Sequence, residues 1–414
     1  MVDTIASLPL TESIEVQSSD DVASAIRGAR DRGSAVYPIG GGTSLDFGLP
    51  AQVDGTGVLL RGMSRIVDYP VRDMTITAEA GVTMGELSAA LAAEGQQFPV
   101  DAPHSDQATL GGVVATNFNG PRRYGMGAVR DYVIGVSAVD GRGVEFKGGG
   151  RVVKNVAGYD FCKLLTGSMG TLAVITQVTL KVRPLNPSRG IVSAAVEKWE
   201  DAEQALACLS KTLTTPVAVE AYNGSAIESL DLAVGAGGVA ALFEGSAAEV
   251  DWQVRQLQSE WRSVGLAPVE GDETLASDAL RLWTEFPAVE APLVLKATVR
   301  PSGVTRFVDA ALEIDPGAAV LSHAGSGIVF VRFSEFPAEG LSRTLVARLQ
   351  PTAARADGAI VVLSNRSGVE STRRSVWGET HAPYDLMTDV KRQFDPHCVL
   401  NPRRFVYNDY APAF

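Results

Sequence analysis

Apolar and polar positions along this chain sort into two periods. Asp20–Arg32 places Val22, Ala25, Ile26 and Ala29 on one face at helical spacing, with Ser19 or Asp20 to cap the start and Gly33 to stop it. Ala35–Ile39 reads as a short strand running straight into Gly40–Ser44. Strands are expected near Val58–Leu60, Arg65–Tyr69 and Thr75–Ala80, then a helix over Met84–Glu94 ended by Gly95. Tyr132–Lys147 reads as a hairpin turning at Asp140-Gly141, and Tyr159–Leu165 as a short helix. Leu172–Val182 alternates strictly. Val174, Thr176, Val178, Leu180 and Val182 share one face and Ile175, Gln177, Thr179 and Lys181 the other, which predicts a half-buried strand.

Pro184 and Pro187 then break the pattern and mark a domain boundary. Beyond them, strands near Ile191–Val196, Val217–Tyr222, Val239–Glu244, Leu293–Val299, Ile328–Phe333 and Ala359–Leu363 alternate with helical segments at Asp201–Thr212, Ala248–Val264, Val304–Ile314 and Gly340–Leu349. This arrangement implies a second domain with a largely antiparallel sheet under helices, so the fold class is α+β. The expected division is 1–186, 187–370, and a last segment 371–414 with a helix near Pro383–Phe394 that returns to another domain.

One stretch fits neither period. Asp101–Gly125, DAPHSDQATLGGVVATNFNGPRRYG, is rich in Gly, Ala, Thr, Ser and Asn. It offers backbone and short polar side chains where a packed core would want Leu and Phe. The loop PIGGGTS, Pro38–Ser44, has the same character. Both suit a surface lying close against a large polar ligand, where an absent Cβ lets the main chain approach.

Composition narrows the ligand. The chain has 414 residues, 45% of them hydrophobic and 20% charged, enough for two to three soluble domains. A net charge of −12 argues against nucleic acid or an anionic membrane surface as the main partner. Cys162, Cys208 and Cys398 are scattered without a CxxC, so no iron–sulfur or zinc framework and no bound metal is expected. The N-terminus has no basic residue before its short apolar part and no long apolar run occurs, which predicts a cytoplasmic protein without direct membrane insertion. Any association with the inner membrane would then be peripheral, through partners.

No GxxxxGK[ST] is present, and neither GGGTSLDF nor HAGSGIVF completes a GxGxxG. GGGTS can still form a nest of inward N–H groups for an anion such as a pyrophosphate, or simply a tight turn. Four ordered motifs favour the nest: PIGGGTS, AEAGVTMGEL, ATLGGVVATN–NGPRRYG and VVKNVAGYDFCKLLTGSMGTLAVITQVTLKV. Together they resemble the FAD-binding domain of the vanillyl-alcohol-oxidase/para-cresol-methylhydroxylase (VAO/PCMH) type flavoproteins. With the tail FDPHCVLNPRRF, they look most like the FAD-binding subunits of bacterial glycolate oxidase.

The resemblance implies FAD as cofactor and a role for each matching position. Gly40, Gly41, Gly42, Thr43 and Ser44 would cradle the pyrophosphate. Pro103, Thr109, Gly111, Gly112, Thr116 and Asn117 would form a second wall, which Arg123, Tyr124 and Gly125 would close. Gly167, Gly170, Thr171, Val174 and Ile175 would line the adenine side, and Asn401 would approach the ring. Thr43-Ser44 stand where some relatives carry a flavin-linking His, and His104 reads as a hydrogen-bonded surface residue, so the linkage is expected to be non-covalent.

Oxidising a 2-hydroxy acid needs a base for the hydroxyl proton and a cation for the carboxylate. Related dehydrogenases carry HxGDGNxH and, later, GEHG. This chain has only HAGSGIVF, with Ser326 at the acidic position and Phe330 at the second His. His323 is the catalytic candidate, set against a structural His at a strand end. Arg122, Arg123 and Lys154 are candidate carboxylate or phosphate partners, set against a solvated face. The resemblance implies a subunit of a multi-subunit glycolate dehydrogenase, beside a catalytic FAD subunit and an iron–sulfur subunit. Two alternatives stay open: a stand-alone 2-hydroxy-acid or sugar-acid dehydrogenase, and a non-catalytic scaffold with a vestigial FAD site.

Overall fold

The structure, a computed structural model, describes residues 8–150, 158–379 and 383–405. These fall into two compact units. The first holds the described residues up to Asn119, those of Ala128–Leu185 and those from Glu379 onward; the second holds Gly120–Gly127 and Asn186–Gly378. The sequence reading kept Gly120–Gly127 with the first domain. In the structure its core contacts are with the second, where Met126 joins the cluster around Tyr222 and Trp283. Lys154 and His381 lie outside the described residues.

The first unit is built on two larger sheets, besides a two-stranded pair of Gln96–Gln97 and Arg183–Pro184. A three-stranded parallel sheet runs in the order Leu10–Glu15, Gly55–Leu59, Ala35–Ile39. The helix Ser19–Asp31 covers it, capped by the Ser18 hydroxyl, which accepts from the Asp21 N–H. Val22, Ala25, Ile26 and Ala29 are buried as their spacing predicts. The second sheet is antiparallel, in the order Ile66–Asp68, Thr75–Glu79, Ala173–Lys181, Val133–Asp140, Glu145–Gly149. Its central strand Ala173–Lys181 is buried on both faces except at Gln177 and Lys181, so the half-buried expectation is corrected. The polar residues there are paired: the Thr176 hydroxyl donates to the Ser137 carbonyl, and Thr179 shares a hydroxyl–hydroxyl bond with Thr77.

The odd stretch contains an unexpected helix, Leu110–Thr116. Its buried Leu110, Val113 and Val114 give it an apolar face, while Gly111 and Gly112 leave the first turn bare. Its first residues and the segment before it are stitched to a neighbour along the backbone. Met84 donates to the Ala108 carbonyl, Leu110 to Val82 and Gly111 to Ala80.

The second unit centres on an eight-stranded sheet, antiparallel throughout. Its order is Val269–Gly271, Ser188–Val196, Gly237–Gly245, Ala218–Tyr222, Ala319–His323, Ile328–Phe333, Leu293–Thr298, Ala359–Asn365. The strand Ala319–His323 and the helix Glu273–Glu285 are absent from the sequence reading. Within this unit Glu244 accepts from Arg122 at 3.2 Å and Arg189 at 2.8 Å, fastening the Gly120–Gly127 segment to the sheet. Burial raises the Glu244 pKa, but the two guanidinium groups outweigh it and hold the carboxyl below its ordinary range.

Candidate cofactor site

The first unit contains a long cleft enclosing about 930 Å³ of non-atom space, part of it open to solvent. Its first wall is the loop after strand Ala35–Ile39, where Gly40, Gly41, Gly42, Thr43 and Ser44 all line the cleft. No hydrogen-bond acceptor within the described residues meets the N–H groups of Gly41, Gly42, Thr43 or Ser44. Successive free N–H groups of this kind make an anion-binding concavity. Gly42 has φ +76°, a left-handed conformation, and a Cβ there would make only an ordinary contact with Leu45. Gly40 and Gly41 are bare for another reason. A Cβ on Gly40 would collide with the Thr109 side chain, and one on Gly41 with the Gln107 carbonyl. The first two glycines therefore serve the contact between the two loops.

The second wall comes from the odd stretch and its helix. Pro103, Thr109, Gly111, Gly112 and Thr116 line the cleft. The Thr109 hydroxyl is buried and has no partner, although a buried hydroxyl ordinarily finds one. A third wall is formed by Gly170, Val174 and Ile175, with Asn401 beside them. Asn401 Nδ2 donates to the Met169 carbonyl at 2.9 Å, and its N–H donates to Val36, so the C-terminal segment is woven into the cleft.

Lys391 anchors that segment. Its buried ammonium donates to the Thr171 carbonyl at 2.7 Å and the Leu400 carbonyl at 3.1 Å, and it pairs with buried Asp395. Asp395 in turn accepts from the N–H groups of Val399 and Leu400.

Residues 13–148 match the family model described as FAD binding domain. The cofactor is FAD. The chain is 37% identical to glycolate oxidase subunit GlcE of Escherichia coli over 176 residues, which is 42% of this chain and 46% of that protein. The alignment thus spans about half the length of that relative. Longer alignments join it to D-lactate dehydrogenase of Archaeoglobus fulgidus, 26% identical over 95% of this chain and 90% of that one. Glycolate oxidase subunit GlcD of Bacillus subtilis is 24% identical over 96% and 89%. The chain is accordingly related to FAD-linked oxidoreductases of the glycolate oxidase and D-lactate dehydrogenase kind. Among solved structures, p-cresol methylhydroxylase with substrate bound superposes with a TM-score of 0.71 at 15% identity, covering 95% of this chain and 88% of that one. The fold is the PCMH/VAO-type FAD-binding fold.

The residues present fit FAD. Free N–H groups suit its phosphates, the orphaned Thr109 hydroxyl suits a polar atom, and Val174 with Ile175 offers an apolar seat for a ring. Other positions that the resemblance assigns to FAD are not among the residues lining this cleft. Asn117 ends the helix at φ +51° and packs against Gly167, whose N–H donates to the Val114 carbonyl. The Thr171 hydroxyl is spent on the Ser168 carbonyl. None of these three lines the cleft; they shape the backbone behind it. Arg123, Tyr124 and Gly125 belong to the second unit, where the Gly125 N–H donates to Val217 and the Tyr124 ring lies over Gly325. His104 is exposed, at φ +53°, and its carbonyl accepts from Gln107 and Ala108. Several lining residues are absent from the sequence reading, and the charged one among them is Arg404.

His323 sits in the second unit at the end of strand Ala319–His323, 2% exposed. Its Nδ1 lies 2.8 Å from Glu220 Oε2, and its ring meets Phe330 edge-on at 5.1 Å between centroids. Among the described residues no cluster of three or more His, Cys, Asp or Glu side chains can hold a metal, and no helix is long and apolar enough to cross a membrane.

Proposed function

We propose that this chain is an FAD-binding subunit of a multi-subunit glycolate, or 2-hydroxy-acid, dehydrogenase, working beside a separate catalytic flavin subunit and an iron–sulfur subunit. The observation that carries the reading is Phe330. It stands where the fuller dehydrogenase motif has its second His, and its ring packs against His323, whose Nδ1 is committed to Glu220. The cofactor cleft is furnished while this motif is reduced to one buried imidazole. The likeness to GlcE supports the same reading.

Bound FAD supplies a two-electron acceptor. The residues proposed to hold it are Gly40–Ser44, Thr109, Gly111, Gly112, Thr116, Gly170, Val174, Ile175 and Asn401. No His, Cys or Tyr lines the cleft among the described residues, which supports non-covalent binding. Acid precipitation should release the yellow colour from the protein.

The test is to purify the chain alone and with co-expressed partner subunits, record the flavin spectrum, and measure glycolate-dependent dye reduction. We expect bound FAD in both preparations and dye reduction only with partners. Reduction by the chain alone would overturn the subunit reading in favour of a self-sufficient dehydrogenase. A colourless chain that binds no added FAD would favour a scaffold.

A further inference from the structure

Arg404 is the one charged side chain lining the FAD cleft among the described residues. It is 7% exposed. Its Nε donates to the Leu49 carbonyl at 3.1 Å, and its Nη2 donates to the carbonyls of Leu45 and Phe47. A guanidinium has five N–H groups, so the two on Nη1 remain without an acceptor among the described residues. Among the described residues no carboxylate forms an ion pair with it, and Asp46 acts only at longer range. A buried cation that meets only neutral carbonyls is costly unless an anion compensates it.

We infer that Arg404 is the charge partner of the FAD pyrophosphate. The three carbonyls that grip its Nε and Nη2 follow directly after the Gly40–Ser44 loop. The guanidinium is therefore fixed beside the free N–H groups of Gly41–Ser44, with Nη1 left over. Those N–H groups supply partial charges and Arg404 supplies a full one. Among the described residues this acidic chain, of net charge −12, offers a dianion no other cation in the cleft. The opposing reading is a clamp, in which Arg404 only pins the C-terminal segment to residues 45–49.

The two readings separate on the phosphate content of the ligand. The full chain is freed of FAD and titrated with FAD, FMN and riboflavin, following flavin fluorescence. In R404Q the Kd for FAD and FMN should rise about ten- to a hundredfold, the range for charge-assisted hydrogen bonds lost, while riboflavin stays within about twofold. R404K should recover part of the FAD affinity. An equal loss for riboflavin and FAD would leave only the clamp, and an unchanged FAD Kd would overturn the inference outright. Thermal unfolding of the flavin-free variants reports whether they fold. If R404Q does not, the wild-type chain decides: added KCl should weaken FAD relative to riboflavin, and a ratio indifferent to salt would sink the proposal.

Discussion

Thr109 carries a buried hydroxyl with no partner, at a position where Ala108 and Leu110 on either side are stitched into the protein by their backbone. The hydroxyl, which lines the cleft, is thereby left available to a bound cofactor. Replacing it with the isosteric Val removes a hydrogen bond that the flavin-free protein does not make. Thr109→Val should leave the melting temperature of the flavin-free protein unchanged or slightly raised, and weaken FAD by about 0.5–1.5 kcal/mol, the net worth of one hydrogen bond. A variant that melts earlier and binds FAD normally would show that the hydroxyl is structural. At this scale the sequence is readable for residue type and unreadable for reason. GGGTS and ATLGG announce a bare surface. That Gly40 and Gly41 are bare for Thr109 and Gln107 emerges only when two loops far apart in sequence are brought together. Likewise nothing in NPRRF distinguishes Arg404 from Arg403. In the structure Arg403 is exposed and Arg404 is buried against carbonyls more than 350 positions away.

Among elements, those with a strong period are the legible ones. The helix expected over Met84–Glu94 is found at Met84–Ala92, held by a reciprocal cap between Thr83 and Glu86. The strand Ile328–Phe333 is found with the bounds expected. The helix Leu110–Thr116 escapes because glycines blur its period, and the strand Ala319–His323 because five consecutive buried positions have no alternation to show. The tail is legible as a return and not as a wall. Its anchor, Lys391, ties the helix Tyr384–Phe394 both to the Thr171 carbonyl and to the turn bearing Asn401. Lys391→Met strands Asp395 as an unpaired buried charge, a change that typically costs about 3–5 kcal/mol. Urea unfolding should register a loss of that order. Limited proteolysis should cut the tail sooner in this variant, and a tail as resistant as wild type would refute the anchoring role.

On the scale of the molecule, the cofactor cleft is a property of the first unit alone, as all its lining residues belong there. Ligand binding stabilises what it binds, by about 2.7 kcal/mol at a free concentration one hundred times Kd. Hydrogen exchange should therefore slow on adding FAD across Gly40–Ser44, Leu110–Thr116 and the backbone around Met169 and Asn401. The central strands of the second unit, such as Gly237–Gly245, should exchange at the same rate with and without FAD. Equal slowing in both units would mean that they respond as one cooperative block.

The position of the tail also sets an order of events. Val36 and Leu400 are neighbours across a bridge, yet every residue of the second unit is translated between them. Domains tend to fold as they leave the ribosome, and the second unit, contiguous from Asn186 to Gly378 apart from its short leader at Gly120–Gly127, can do so. The first unit has to wait with one wall missing. A nascent chain thus has no finished seat for its flavin until translation has passed Arg404.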